Sequence, residues 1–207
     1  MIRPRILGIK QIYTDFLKFY LCKSVSYCKI CGLIISNPTD ILLSIHGIIF
    51  TEKTTKSMSN HSESAFKVIG ISVRTSNKVE GKDIGNLWAK FMDEDIFEKI
   101  PNKTSYDVYG IYTDYESDHT GNYTAIVGCH VSSLEEIPEE MVGLTIPGSN
   151  YEIFTAKGNM PECVYGKWTE IWQNKELERT YSTDFEVYGT KSQNPKGAEV
   201  EIFISVK

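Results

Sequence analysis

Carboxylates and aromatic rings recur side by side in this sequence: Tyr106-Asp107, Tyr112-Thr-Asp114-Tyr115-Glu116 and Asp184-Phe-Glu186-Val-Tyr188. A carboxylate withdrawn from water is costly unless a cation answers it, and the faces of Tyr and Trp rings attract that same cation. The combination suits lipophilic cations. Strand alternation places Glu186 and Tyr188 on one face and Phe185 with Val187 on the other. With Phe185 and Val187 turned into a helix-packed core, Glu186 faces either water, as an ordinary solubilising acid, or a groove lined with rings. Asp107 takes the corresponding place before an earlier Val-Tyr-Gly, so that two acids would face each other across an axis. Trp88, Trp168 and Trp172 each fit a helical stripe, where core packing is the plain reading, but a ring edge there can also border a groove. The candidate ligand-binding residues are therefore Glu186, Tyr188, Asp107, Tyr112, Trp88, Trp168 and Trp172.

Other chemistries find less support. Cys28-Lys-Ile-Cys31 has the spacing of half a zinc site, but Cys22 and His46 do not stand at a second-pair offset, and no metal or cofactor is expected. His119 lies in a turn and His130 on a strand, neither with a partner at i+4. Cys129 and Cys163 lack a neighbouring His or Asn signature and read as small packing residues. Gly-x-Ser-x-Gly and both phosphate-loop patterns are absent.

The elements that must position these residues follow from periodicity. Phe66 to Val73 is rich in β-branched residues and reads as a strand. Ile84, Leu87, Trp88 and Phe91 recur at helical spacing. Val108 to Asp114 and Tyr123 to Ser132 form a hairpin around the turn-rich segment 116–122. After Pro138 the order returns: strands at Met141 to Ile146 and Tyr151 to Ala156, a helical stripe of Val164, Trp168, Ile171 and Trp172, then strands at Asp184 to Thr190 and Ala198 to Val206. Trp88 precedes Val108-Tyr-Gly by 20 residues and Trp168 precedes Val187-Tyr-Gly by 19. Element order and this spacing predict an internal duplication. Two such halves would pack about a pseudo-twofold axis, with a ligand groove between them.

Composition sets the outer bounds. A chain of 207 residues, 41% hydrophobic and 24% charged, is globular and needs no disulfide framework for its five cysteines. Residues 1–57 carry eight Lys/Arg against three Asp/Glu, and residues 58–207 carry fourteen against twenty-four. The first segment is thus +5 and the second −10. Residues 1–57 keep neither helical nor strand period and are expected to be a poorly structured extension, or an over-long start; the polar stretch 51–64 reads as a linker or the solvated start of the folded unit at 58–207. No apolar run is long enough for a membrane span and no signal peptide is evident, which points to the cytoplasm. The acidic balance argues against holding nucleic acid by its phosphates.

At these residues the sequence resembles a known family. Tyr109-Gly-Ile-Tyr-Thr-Asp-Tyr-Glu-Ser-Asp118, Tyr123-Thr-Ala-Ile-Val-Gly128, Ile146-Pro-Gly148, Ile171-Trp172 and Asp184-Phe-Glu-Val-Tyr-Gly189 are similar to the GyrI-like effector-binding domains. Within them the chain is most similar to stand-alone integron-cassette effector-binding proteins and to the ligand domains of AraC-type and MerR-type regulators. The likeness spans roughly residues 65–207. It implies an α+β fold of duplicated βαββ units, the SHS2-type repeat, as an antiparallel sheet with two main helices. It also implies a groove for amphipathic, often cationic compounds, multidrug ligands among them, with a buried acid as charge partner; the residue matching that acid is Glu186. Residues 1–57 are too short and irregular for the DNA-binding domain of such regulators. The expectation is a small-molecule-binding sensor or sequesterer, with a transcription regulator or gyrase as conceivable protein partner. Two alternatives follow from the same resemblance: hydrolysis of electrophilic genotoxic compounds through a groove Glu, and gyrase interaction.

Overall fold

The computed structural model describes residues 60–79, 82–194 and 196–207; the segment 1–57, with Cys22, Cys28, Cys31 and His46, lies outside them. The strands are β1 (Asn60–Glu63), β2 (Phe66–Ser76), β3 (Val108–Thr113), β4 (Asn122–Val131), β5 (Val142–Ile146), β6 (Ser149–Gly158), β7 (Thr183–Tyr188) and β8 (Ala198–Val206). The helices are α1 (Lys82–Asp93), α2 (Ile96–Lys99) and α3 (Glu162–Gln173), with 3-10 turns at Asn77–Val79 and Thr190–Gln193. All eight strands form one antiparallel sheet in the order β1-β6-β8-β7-β3-β4-β2-β5. The fold is α+β.

Both predicted helical stripes form. Leu87, Trp88, Phe91 and Met92 of α1 and Val164, Trp168 and Ile171 of α3 are buried in one shared core on one face of the sheet. Helix α1 rests chiefly on β2 and β4, and α3 on β6. The central pair β3 and β7 therefore runs between the helices. Its helix-side surface is covered by side chains rather than by helix backbone.

The opposite face is closed by curling. Phe66 on β2 reaches Phe185 on β7, with ring centroids 5.4 Å apart, although three strand spacings of a flat sheet amount to about 14 Å. Two glycines permit the bend. Gly70 and Gly128 are register partners, and a Cβ on Gly70 would stand 2.2 Å from the Val127 carbonyl oxygen. Only bare backbones approach this closely. The sheet ends also meet, because β1 joins β2, and β5 joins β6, through two residues each, while β1 pairs with β6 and β5 with β2. Val68, Ile111, Ile126, Ile146, Tyr151, Phe185 and Phe203 fill the concave face.

The elements depart from the sequence reading at four places. Residues 60–63 form an edge strand, so of the two readings of the polar stretch this part fits the start of the folded unit and not a linker. Helix α2 stands between the first helical stripe and the strand at Val108, in a segment for which periodicity names no element. The strand expected to run to Thr190 stops at Tyr188, and a 3-10 turn begins at Thr190 after Gly189. Finally, Phe185 and Val187 face the concave cluster, and the helix-packed core receives Glu186 and Tyr188 instead.

Gly166, in the middle of α3, has open space where a Cβ would stand and no strained φ. Gly166→Ala is expected to stabilise the protein by about 0.4–1 kcal/mol by restricting the unfolded chain. Urea unfolding monitored by circular dichroism measures it, and a loss of stability would mean that α3 packs differently from this description.

Candidate functional site

Glu186 stands in the centre of β7, opposite Gly110 of β3. It is 1% exposed. One carboxylate oxygen accepts a hydrogen bond from Trp168 Nε1 at 2.5 Å, and the other from the Tyr188 hydroxyl at 2.7 Å. Tyr112, the diagonal neighbour on β3, adds a third hydrogen bond. Burial pushes the Glu186 carboxyl above its ordinary range, and these three bonds pull it partly back. No Lys, Arg or His among the described residues forms an ion pair with it. It is a buried acid answered by dipoles alone.

Aromatic rings surround it. Trp88 from α1 packs edge-on against Tyr188 at 4.9 Å, and Trp168 from α3 packs against Tyr112 at 5.2 Å. Trp172 follows Trp168 at 6.0 Å, and the His119 ring lies flat on Trp172 at 5.8 Å. The sequence makes this assembly local in origin. Each helix carries one Trp on its buried stripe, and period-2 alternation puts Tyr112, Glu186 and Tyr188 on the same side of neighbouring strands. Helices α1 and α3 flank β3 and β7, so the two tryptophans converge from opposite sides on the acid between them.

Six of the seven residues singled out in the sequence come together here: Glu186, Tyr188, Tyr112, Trp88, Trp168 and Trp172. Asp107 does not. It precedes β3, is partly buried, and lies beside Gly189, 3.0 Å from where a Cβ would be. The reason is register. Val108 belongs to the helix-side core whereas Val187 packs against the concave cluster, and Tyr109 pairs with Val187. The two Val-Tyr-Gly tripeptides are therefore one residue out of step across the central strands, and Asp107 is not the counterpart of Glu186.

A second acid was not anticipated as a partner in this neighbourhood. Asp184 is fully buried two residues before Glu186, on the same face. Arg179 Nη2 meets its Oδ2 at 2.6 Å and the Tyr115 hydroxyl donates to the same oxygen at 2.9 Å. Ser205 donates to Oδ1 through its backbone N–H and its hydroxyl. Asp184 thus has an internal cation. Sequence spacing gave no signal for it, because Arg179 lies in a loop and Ser205 on β8.

Among the described residues no group of three or more His, Cys, Asp or Glu is placed to hold a metal ion. Cys129 is buried and its thiol is pushed up to about 12 by burial, so it has no thiolate character near neutrality. His130 packs against Phe66 and Tyr109. No helix among the described residues is long and apolar enough to cross a membrane.

Comparison with known proteins places the arrangement. Residues 62–206 match Cass2, described as integron-associated effector binding protein. The chain is 31% identical over 144 residues to YobU of Bacillus subtilis, provisionally named a transcriptional regulator, covering 67% of this chain and 90% of that protein. It is 28% identical over 148 residues to the transcriptional regulator BrlR of Pseudomonas aeruginosa, covering 69% of this chain and spanning about half, 52%, of that protein. Among solved structures, an integron cassette protein from the mobile metagenome of Vibrio cholerae, VCH_CASS2, superposes with a TM-score of 0.58 at 34% identity, over 73% of this chain and 97% of that one. SAV2435, solved bound to tetraphenylphosphonium, superposes with a TM-score of 0.61 at 19% identity over 72% and 93%, a likeness of fold.

Proposed function

This chain belongs to the integron-associated effector-binding family, and from that premise we propose that it binds amphipathic small molecules carrying a positive charge, with Glu186 as the charge partner. One observation carries the reading: a carboxylate 1% exposed, hydrogen-bonded by Trp168, Tyr188 and Tyr112, with no cation paired to it among the described residues. Such a charge is costly in a core and is relieved by a ligand that brings the missing cation. The rings of Trp88, Trp168, Trp172, Tyr112 and Tyr188 supply area and ring faces for the ligand's apolar body. The place of entry is the strip of β3 and β7 between α1 and α3.

The protein acts as a cytoplasmic sensor or sequesterer, and a regulator is the protein partner this role calls for. The names of the curated relatives support the sensor role, and the tetraphenylphosphonium bound to SAV2435 supports the cation. The fold is read as two βαββ copies about a pseudo-twofold axis, each preceded by one further strand, and a strand order that maps onto itself when β1, β2, β3 and β4 exchange with β5, β6, β7 and β8 supports this.

Tetraphenylphosphonium tests the reading. At a concentration 100 times its dissociation constant it should stabilise the native state by about 2.7 kcal/mol and raise the melting temperature accordingly. The probe keeps its charge at every pH, so its affinity should fall as acid protonates Glu186. An unchanged melting temperature at millimolar probe, or an affinity indifferent to acid, would remove the charge partner.

A further inference from the structure

The space that the Glu186 carboxylate occupies exists because of the residue across from it. Gly110 is the register partner of Glu186, and a Cβ on Gly110 would stand 2.8 Å from Glu186 Oε2 and 3.5 Å from Trp88 Cζ2. Oε2 is the oxygen that accepts the Tyr188 hydroxyl. We infer that Gly110 is a specificity-determining position: its missing side chain is the notch in which the carboxylate lies, and any larger residue there turns the carboxylate out of place and costs the site its preference for a cation over a neutral ligand.

The surroundings leave a methyl group at this position little room. Gly110 is held from both sides, by Val127 on β4 and Glu186 on β7, in the middle of the sheet. The backbone of a central strand paired on both edges yields less readily than a side chain. The Trp88 ring would stand in ordinary contact with the methyl, at 3.5 Å, so the close approach is to the carboxylate. The carboxylate must therefore move off Oε2's present position, and in moving it leaves the Tyr188 hydroxyl. A displaced acid keeps its charge but loses a donor that fixes its orientation, and oriented charge in a dry site is what discriminates a cation from a neutral molecule of similar size. Gly110 does not touch the ligand in this account; it acts through Glu186 as a positioning residue. Its glycine is not demanded by a left-handed backbone, since no positive φ occurs there. Space, rather than conformation, accounts for it.

This inference rests on the cation reading above, and the experiment separates the two. Affinities of tetraphenylphosphonium and of neutral triphenylphosphine oxide are measured by calorimetry for the full chain, Gly110→Ala, Glu186→Asp, Glu186→Gln and the double variant Gly110→Ala/Glu186→Asp. Gly110→Ala should weaken the phosphonium at least about tenfold and leave the oxide within about twofold, since only the first uses the oriented charge. Shortening the acid by one methylene withdraws it from the added methyl, so the double variant should bind phosphonium more tightly than Gly110→Ala does. The double variant also covers the case in which Gly110→Ala is too unstable to assay. It should then recover a cooperative melting transition, and failure to recover it overturns the inference. Equal weakening of both probes by Gly110→Ala, or no weakening of either, overturns it as well. If instead Glu186→Gln leaves phosphonium binding intact, the cation reading itself is wrong and the notch goes with it.

Discussion

Glu186→Gln is expected to bind tetraphenylphosphonium about 5- to 150-fold more weakly than the natural protein, the equivalent of about 1–3 kcal/mol for one buried charged interaction. It is also expected to be more stable in the absence of ligand. The two effects have one cause. Gln keeps the shape of the side chain, its carbonyl oxygen can still accept from Trp168 Nε1, and its amide can donate to a rotated Tyr188 hydroxyl. What disappears is the uncompensated charge. The folded-state carboxyl is raised above its unfolded value by burial, so between those two values the native state holds more protons than the unfolded one. Stability therefore declines as pH rises through that window, and the penalty is complete above the folded value. The amide is free of that penalty at neutral pH. The stability gain of Glu186→Gln should shrink as the pH is lowered through the window and vanish below the ordinary Glu range, where the natural residue is neutral in both states. Melting curves of both proteins from acid to neutral pH, without ligand, measure this. A variant less stable than the natural protein at neutral pH would mean that the carboxylate is a net structural asset and that its solvation by three donors is complete.

This trade of stability for binding explains why so much of the site was legible in the sequence and why its orientation was not. The stripes Ile84, Leu87, Trp88, Phe91 and Val164, Trp168, Ile171, Trp172 announce two helices whose apolar sides need a sheet, and the long β-branched strands supply it. Placing Trp88 and Trp168 on those stripes is enough to bring them towards a common surface. The face of β7 is another matter. Thr183, Asp184, Phe185 and Glu186 are all buried because helices cover one side and curling closes the other. Alternation distinguishes inside from outside only when one face is wet, so on β7 it could not say which neighbour was the helix side. The tripeptide match misled for a related reason. An antiparallel pair places register partners on the same face, so two segments related by a twofold axis normal to the sheet must differ by an even offset here, and Val108 and Val187 differ by 79. The edge strand β1, Asn-His-Ser-Glu, has no apolar member to signal it and is defined by pairing with β6.

The contrast between Asp184 and Glu186 leads to the largest stability effect. These acids stand two residues apart on one face of β7, both out of solvent, yet only Asp184 has a cation: the Arg179 side chain is 4% exposed and its guanidinium also lies 4.3 Å over the Tyr181 ring. Arg179→Met keeps most of the stem and removes the charge. It should destabilise the protein by about 3–5 kcal/mol, since breaking a buried pair from one side strands the other charge. The Tyr115 and Ser205 donors remain on Asp184, which places the expected cost towards the lower end of that range. Arg179→Met/Asp184→Asn should recover a large part of the loss, because it removes both charges together. Urea unfolding of the two single variants and the double closes the cycle. In the folded fraction of Arg179→Met, tetraphenylphosphonium affinity should stay within about threefold of the natural protein, because Glu186 keeps all three of its own donors. A variant of ordinary stability, or one whose phosphonium affinity collapses while it remains folded, would mean that the two acids act as one site and that Arg179 belongs to the ligand's charge balance rather than to the fold.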